Sequence, residues 1–118
     1  MKIIVTGASG FVGSLIVPEL NKKAIKMLLV GRSKNKLKKV YGKSNICEYD
    51  ELKKFAKNYD CIIHLATFNN LKKNNYHKAK KENLEIFKKV FEIAKLHDLF
   101  IFNFSSTHSL DLTYKTDY

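Results

Sequence analysis

The chain has 118 residues, enough for one domain and too few for two, and its 45% hydrophobic content allows a modest buried core. It contains no apolar run of about 18 residues or more, and its first apolar stretch meets Gly7 too soon for a signal peptide, which excludes a membrane span and predicts a cytoplasmic protein. The net charge of +11 comes from 21 lysines spread along the chain and a single arginine, Arg32, which favours a solvated basic surface over a nucleic-acid interface.

The cysteines and histidines form no metal or redox motif. Cys47 and Cys61 are not in CxxC spacing. The histidines show no ligand spacing with them: His64, His77, His97 and His108. The sequence therefore predicts two reduced thiols and no metal site.

Short apolar runs alternate with segments of helical spacing along the chain. The runs that predict buried strands cover residues 2–6, 26–30, 45–49, 61–66 and 99–104. The segments that predict helices cover residues 11–21, 34–41, 51–58 and 79–96. Pro18 is expected to perturb the first helix, because a proline beyond the first turn cannot donate the helical hydrogen bond. The predicted buried stripe of the last helix consists of Leu84, Phe87, Val90, Phe91 and Ala94.

This alternation predicts an α/β fold. Strands separated by helices pair in parallel through right-handed crossovers. We therefore predict a Rossmann-type, doubly wound parallel sheet of about five strands in the order 3-2-1-4-5, with residues 1–118 in one domain. Ligands of such sheets bind at the carboxyl ends of the strands, at the switch point between the first and fourth strands.

Three of the five glycines fall within seven residues, directly after the first predicted strand and at the start of the first helix. A dinucleotide-binding turn requires this arrangement. Gly7 permits the tight turn, Gly10 lets the backbone approach a diphosphate, and Gly13 lets the helix pack close to the strand. The N–H groups and the dipole of the helix would then face the diphosphate.

Arg32 follows the second predicted strand, where proteins that bind NAD commonly have an acidic residue for the ribose 2′-hydroxyl. A guanidinium group matches a 2′-phosphate, so NADP is the favoured cofactor, with NAD as the alternative. Arg32 on the adenine face or in solvent is the other interpretation of this position.

The glycine spacing resembles that of the extended and atypical short-chain dehydrogenases/reductases, the NAD-dependent epimerase/dehydratase family. Residues 60–67, which read Asp-Cys-Ile-Ile-His-Leu-Ala-Thr, resemble the family's fourth strand. Asn83 stands where the family has an asparagine in the following helix, and residues 104–107, Phe-Ser-Ser-Thr, resemble the end of its fifth strand. The four matches occur in the family's order and span nearly the whole chain.

The resemblance implies site residues. Thr107 would be the catalytic Ser/Thr, which holds the substrate hydroxyl. The implied cofactor-binding residues are Gly7, Ser9, Gly10, Phe11, Val12, Gly13, Arg32, Leu65, Ala66, Thr67, Asn83 and Ser105.

Several of these positions also have a plain structural interpretation. His64 lies in an apolar run and is expected to be a packed or hydrogen-bonded strand residue, not a catalyst. Asn83 could be an ordinary polar helix residue, and Ser105 could satisfy backbone groups at a strand end. Glu48 or Asp50 could contact the adenine side, as an acidic residue after the third strand often does in the family, and neither is assigned to it.

Members of the family also carry a Tyr-x-x-x-Lys pair some tens of residues after the Ser/Thr. Lysine stabilises the phenolate of a tyrosine whose free pKa is near 10, and so makes it a usable base. After Thr107 no such pair occurs: residues 114–118 place Tyr118 where the lysine would stand. A chain without this pair and without the sugar-nucleotide domain is expected not to turn over substrate alone.

We therefore expect the NAD(P)-binding portion of an enzyme that acts by hydride transfer on a nucleotide sugar or related small molecule. The alternative is a non-catalytic dinucleotide-binding or redox-sensing module, or one subunit of a split enzyme. The fifth strand would be a poorly covered sheet edge with apolar side chains at Phe100, Ile101, Phe102 and Phe104, which predicts self-association.

Overall fold

The computed structural model describes residues 1–42, 44–65 and 76–104. The strands are β1 (Lys2–Thr6), β2 (Lys26–Gly31), β3 (Ile46–Glu48), β4 (Cys61–His64) and β5 (Phe100–Asn103). The helices are α1 (Phe11–Lys22), α2 (Lys34–Tyr41), α3 (Tyr49–Phe55), which a 3-10 helix (Ala56–Asn58) extends, and α4 (Tyr76–Leu96).

All strands of the sheet are parallel and lie in the order β3-β2-β1-β4-β5, which confirms the predicted topology. In the register of the central strands, Thr6 is opposite Val30 of β2 and His64 of β4. The carboxyl ends of β1, β2 and β4 therefore meet at one edge of the sheet. The chain changes direction across the sheet between β1 and β4, so this edge holds the switch point.

Helices cover both faces of the sheet. The core on the face of α3 and α4 includes Ile4, Leu28 and Ile62 of the central strands and Val90 of α4. The core on the face of α1 and α2 is built from residues that alternate with these, and it consists of Ile3, Val5, Ala8, Val17, Leu29, Leu37, Cys61 and Leu65. Burial on both faces explains why the central strands are continuous apolar runs in the sequence.

The predicted bounds around β3 are wrong by a few residues. The strand covers only Ile46–Glu48, and α3 begins at Tyr49, before the predicted start at residue 51. The cause is a capping box, in which the Glu48 and Glu51 side chains each accept a hydrogen bond from the backbone of the other residue. This box starts a helix directly where the strand ends.

Other elements also differ from the prediction. α4 begins at Tyr76, three residues before the expected start, and β5 is one residue shorter at each end than residues 99–104. β4 ends at His64, and Ala66, the predicted last residue of that strand, lies outside the described residues. α1 continues through Pro18 to Lys22. The Pro18 ring lies on the exposed side of the helix, where water can hydrate the carbonyl group that lacks a helical donor.

The predicted stripe of α4 is only partly correct. Val90, Ile93 and Ala94 are buried, whereas Leu84 and Phe91 are about half exposed. The helix is rotated from the expected phase because it packs on β4, β5 and α3 together. None of the described helices is long and apolar enough to cross a bilayer.

β5 is the outer strand of the sheet beside β4. Ile101 packs against the core on the α4 face. Phe100 and Phe102 point to the other face, and they are 77% and 56% exposed because no described helix covers β5 there. The expected apolar edge is therefore present in the structure.

Candidate functional site

The glycine turn joins β1 to α1 at the switch point. Gly7 has a φ angle of 68°, in the left-handed region that favours glycine, and its N–H donates to the Val30 carbonyl at 2.9 Å. The N–H of Gly10 donates to the Gly7 carbonyl at 3.0 Å and closes the turn. The turn is thus attached to β2 at one end and leads into α1 at the other.

Gly13 is the point of closest approach between α1 and the turn. A Cβ atom at Gly13 would lie 2.4 Å from the carbonyl oxygen of Ala8 and 2.8 Å from its Cα. A Cβ at Gly10 would lie 3.3 Å from the Gly7 carbonyl oxygen. The tight turn predicted at Gly7 and the close packing predicted at Gly13 therefore agree with the geometry.

The start of α1 is open toward an anion. Gly10 is the N-cap residue and carries no side chain, so no side chain occupies the first N–H groups of the helix. The first turn of α1 contains no acidic residue. The side chains of Phe11 and Val12 are exposed, and their backbone N–H groups, with that of Gly13, are the donors that an α-helix leaves without an internal partner. This geometry suits a phosphate or diphosphate group.

A buried polar pair lies beneath the turn. The Thr6 hydroxyl oxygen is 2.6 Å from Nδ1 of His64, and it also accepts the Leu65 N–H at 3.2 Å. His64 is only 3% exposed, and its ring packs against the Phe87 ring. Burial lowers the pKa of His64 below its usual value, so the imidazole is neutral at physiological pH. His64 therefore joins the ends of β1 and β4 and is a structural residue, as the sequence suggested.

Two tyrosines that sequence reasoning missed lie near the turn. The Tyr41 hydroxyl at the end of α2 donates to the Ala8 carbonyl. Tyr49, at the start of α3, is buried in the core of the opposite face. Burial raises the pKa of Tyr49 to about 12, although the neighbouring Thr6 and Gly7 and the charge of Arg32 oppose this shift. The Tyr41 hydroxyl therefore holds the turn and Tyr49 packs in the core near it, although a lone tyrosine has no sequence signature of such a role.

Tyr49 and Lys53 happen to have the spacing of the family's catalytic pair. Their position excludes that role, because Tyr49 lies in the core and Lys53 is exposed on α3. A phenol with a pKa of about 12 is also a poorer base at neutral pH than free tyrosine. The spacing of these two residues is therefore a coincidence of the sequence.

Arg32 follows β2 directly, at the same edge of the sheet as the turn. Its guanidinium Nη2 atom is 3.6 Å from Oε2 of Glu82 on α4, and the Arg32 side chain is half exposed. Asn83, the predicted site residue of α4, is the next residue after Glu82, and it makes interactions within the fold. An anionic ligand can thus reach the Arg32 guanidinium group, either in place of the Glu82 carboxylate or beside it.

The acidic residues at the end of β3 and the start of α3 have separate partners. The Glu48 carboxylate accepts the Lys34 N–H at 3.1 Å and so contacts the start of α2 as well as α3. Asp50 is exposed and accepts a hydrogen bond of 2.6 Å from Lys89 of α4, which lowers the pKa of its carboxyl group. Glu48 lies at the carboxyl edge beside Gly31, its partner in the β2–β3 register.

Four predicted site residues, Ala66, Thr67, Ser105 and Thr107, lie outside the described residues. Cys47 and Cys61 are free thiols in the core, and burial raises the pKa of Cys47 to about 12, which disfavours a reactive thiolate. Within residues 1–42, 44–65 and 76–104, no group of three or more His, Cys, Asp or Glu side chains could hold a metal ion.

A parallel sheet in this order, with a glycine-rich turn at the switch point, defines a Rossmann-type α/β protein. The sequence model of the NAD dependent epimerase/dehydratase family matches residues 3–110, and the chain belongs to that family. The resemblance seen in the sequence is thereby confirmed. No curated protein matches the chain significantly.

Solved epimerase structures share the fold. The ADP-L-glycero-D-manno-heptose-6-epimerase of Helicobacter pylori has a TM-score of 0.72 and 22% identity, over 89% of this chain and 39% of that one. The UDP-glucose 4-epimerase of Bifidobacterium longum, solved with NAD+ and UDP, has a TM-score of 0.72 and 20% identity, over 90% and 37%. The UDP-N-acetylglucosamine 4-epimerase of Bacillus cereus has a TM-score of 0.70 and 17% identity, over 87% and 36%. The chain therefore spans between 36% and 39% of the length of these three proteins.

Proposed function

We propose that the glycine turn and the start of α1 bind the diphosphate of a nicotinamide dinucleotide. The observation that carries the proposal is the open N-terminus of α1 at the switch point, preceded by Gly10 and free of acidic residues in its first turn. Backbone N–H groups and the helix dipole stabilise a diphosphate at such a position. Membership of an NAD-dependent family and the NAD+ of the Bifidobacterium longum structure support it.

The proposed cofactor site extends along the carboxyl edge of the sheet. The backbone of Ser9, Phe11 and Val12 would face the diphosphate, and Arg32 would face the adenosine ribose. Leu65 continues β4 beside the turn, and the family resemblance adds further cofactor-binding residues at Ala66, Thr67, Asn83 and Ser105.

We further propose that residues 1–118 form the NAD(P)-binding domain of an enzyme that acts on a nucleotide sugar or related small molecule. A bound nicotinamide would supply the hydride acceptor or donor, while the protein supplies position and electrostatics. Thr107 would hold the substrate hydroxyl. The family's Tyr-x-x-x-Lys pair would complete the proton transfer, so turnover would require groups besides Thr107.

The second candidate is a non-catalytic dinucleotide-binding module, or one subunit of a split enzyme. The open N-terminus of α1 and the half-exposed Arg32 side chain favour it equally, because they concern cofactor binding and not catalysis. An in-frame continuation of the reading frame beyond Tyr118 would favour the enzyme. A partner protein whose abundance or regulation is lost on deletion of the gene would favour the module.

Titration with NADPH and NADH, followed by nicotinamide fluorescence, tests the cofactor site. We expect micromolar binding that Gly10→Val weakens at least tenfold, because a branched side chain there occupies the space in which the backbone approaches the diphosphate. Leu15→Ala, which shortens an exposed side chain on the same helix, is the matched control and should bind as wild type does. Absence of binding in folded wild-type protein would refute the proposed function.

The Arg32→Asp variant tests the cofactor preference. We expect the wild-type protein to prefer NADPH, and the variant to lose about tenfold or more in NADPH affinity while NADH binding changes little. Glu82→Gln should act in the opposite direction, because it removes the carboxylate 3.6 Å from the guanidinium. Equal affinities for the two cofactors in wild-type protein would instead place Arg32 on the adenine face or in solvent.

We propose that the β5 edge mediates self-association. Its outer hydrogen-bonding side lies at the end of the sheet, and Phe100 and Phe102 form an exposed apolar surface beside it. Light scattering should therefore show dimers or larger species, and Phe102→Lys should shift them toward the monomer. A monodisperse wild-type monomer at high concentration would contradict this.

A further inference from the structure

The glycine turn contains little that could fix its own conformation. Gly7 and Gly10 have no side chains, and glycine loses more conformational entropy on folding than any other residue. Within the turn, the Gly10 N–H to Gly7 carbonyl bond is the one backbone hydrogen bond that closes the loop among the described residues. A stable arrangement of the turn amides therefore depends on groups from elsewhere in the fold.

Tyr41 supplies such a group from 33 residues away. It is the last residue of α2, and its partly buried ring packs against the core on the α1 and α2 face. α2 is itself firmly placed, because Ser33 caps its start and Leu37 is fully buried. The hydroxyl group of Tyr41 is thus brought to the Ala8 carbonyl by a packed helix and not by a mobile side chain.

Ala8 is held on a second side by α1. Its side chain is fully buried, and the absence of a Cβ at Gly13 lets the helix lie directly against its backbone. In a trans peptide, the carbonyl oxygen of one residue and the N–H of the next point in opposite directions. Fixing the Ala8 oxygen toward α2 therefore also fixes the direction of the Ser9 N–H, which points away from α2.

We propose that Tyr41 is a positioning residue of the nucleotide site, whose hydroxyl group holds the Ala8 carbonyl and thereby orients the Ser9 N–H and the following turn amides for a diphosphate. This inference rests on the proposed function, and it adds a residue that lies outside the glycine motif.

The Tyr41→Phe variant removes only the hydroxyl group. Tyr59→Phe is the matched control, because Tyr59 is also partly buried but packs against the core on the α3 and α4 face. Amide hydrogen exchange by NMR, without ligand, reports directly on the turn. We expect faster exchange of the Gly10 amide, whose hydrogen bond to the Gly7 carbonyl closes the turn, in Tyr41→Phe, beyond any change in the β1 and β4 amides, and no local change in Tyr59→Phe.

Binding of ADP and of adenosine to the same variants separates positioning from general stability. Tyr41→Phe should weaken ADP about threefold to tenfold and leave adenosine unchanged, because only ADP carries the diphosphate. ADP binding by wild-type protein together with unaltered turn exchange in Tyr41→Phe would overturn the role of Tyr41 alone. Failure of folded wild-type protein to bind ADP would overturn the proposed function and with it the nucleotide role of Tyr41.

Discussion

The Gly13→Ala variant is expected to be strongly destabilised, although alanine is the better helix former. A Cβ atom at this position would lie 2.4, 2.7 and 2.8 Å from the carbonyl oxygen, carbonyl carbon and Cα of Ala8. All three are backbone atoms of a fully buried residue, so no flexible side chain can move aside. Overpacking of this kind costs about 1–3 kcal/mol or more, a large part of the stability of a small domain.

The expected destabilisation is opposite in sign to the usual effect of a glycine-to-alanine substitution in a helix, so a stability measurement distinguishes the two. In an exposed helix interior, replacement of glycine by alanine stabilises a protein by up to about 1 kcal/mol. Urea unfolding of Gly13→Ala should show a lower midpoint, whereas Gly10→Ala should lose much less stability, since its Cβ would be 3.3 Å from the nearest oxygen and its φ of −78° suits any residue. A Gly13→Ala variant as stable as wild type would contradict the close packing of α1 on the turn.

The strand order and the glycine turn could be predicted because their signals are local. Buried parallel strands leave continuous apolar runs, and β1, β2 and β4 are recognisable from these runs alone. The turn combines a glycine at positive φ with a glycine at a helix–backbone contact, two requirements that few other residues meet. Patterns of this kind depend on a few neighbouring residues, so they can be recognised in the sequence without knowledge of the tertiary contacts.

The supports of the site could not be predicted, because they depend on contacts between distant elements. The Tyr41 hydroxyl meets Ala8 across 33 residues, and Thr6 meets His64 across 58. The phase of α4 was wrong for the same reason: Leu84 and Phe91 have the helical spacing of buried residues, but three neighbouring elements decide which face is covered. The partner of Arg32 on α4 also becomes visible only when the chain is folded.

The buried imidazole of His64 should make the protein less stable as the pH falls. Burial lowers the pKa of His64 in the folded state below the value of about 6.5 that it has in the unfolded chain. Below that pH the unfolded chain binds a proton that the folded protein does not, so the free energy of unfolding decreases with falling pH. The slope for one proton approaches about 1.4 kcal/mol per pH unit, between pH ~6.5 and the lower folded pKa.

The His64→Asn variant separates this ionisation from the hydrogen bond. The asparagine amide can occupy the position of Nδ1 beside Thr6, but it does not titrate. We expect lower stability than wild type at about pH 8, because the shorter side chain leaves space beside the Phe87 ring. Between about pH 5 and 6.5, however, the unfolding free energy of the variant should no longer depend on pH through residue 64. Carboxyl groups add little to the pH dependence in this range, because most of them titrate at lower pH.

His77→Asn provides the control for this pH dependence, because His77 is an exposed histidine on α4. It should keep the wild-type slope, which chemical denaturation at closely spaced pH values would measure. Equal slopes in wild type and His64→Asn would mean that His64 accepts a proton in the folded state and that water reaches the ends of β1 and β4. If the slope is lost only in His64→Asn, water does not reach the switch point beneath the glycine turn. This result would agree with the packing of the imidazole between Thr6 and Phe87.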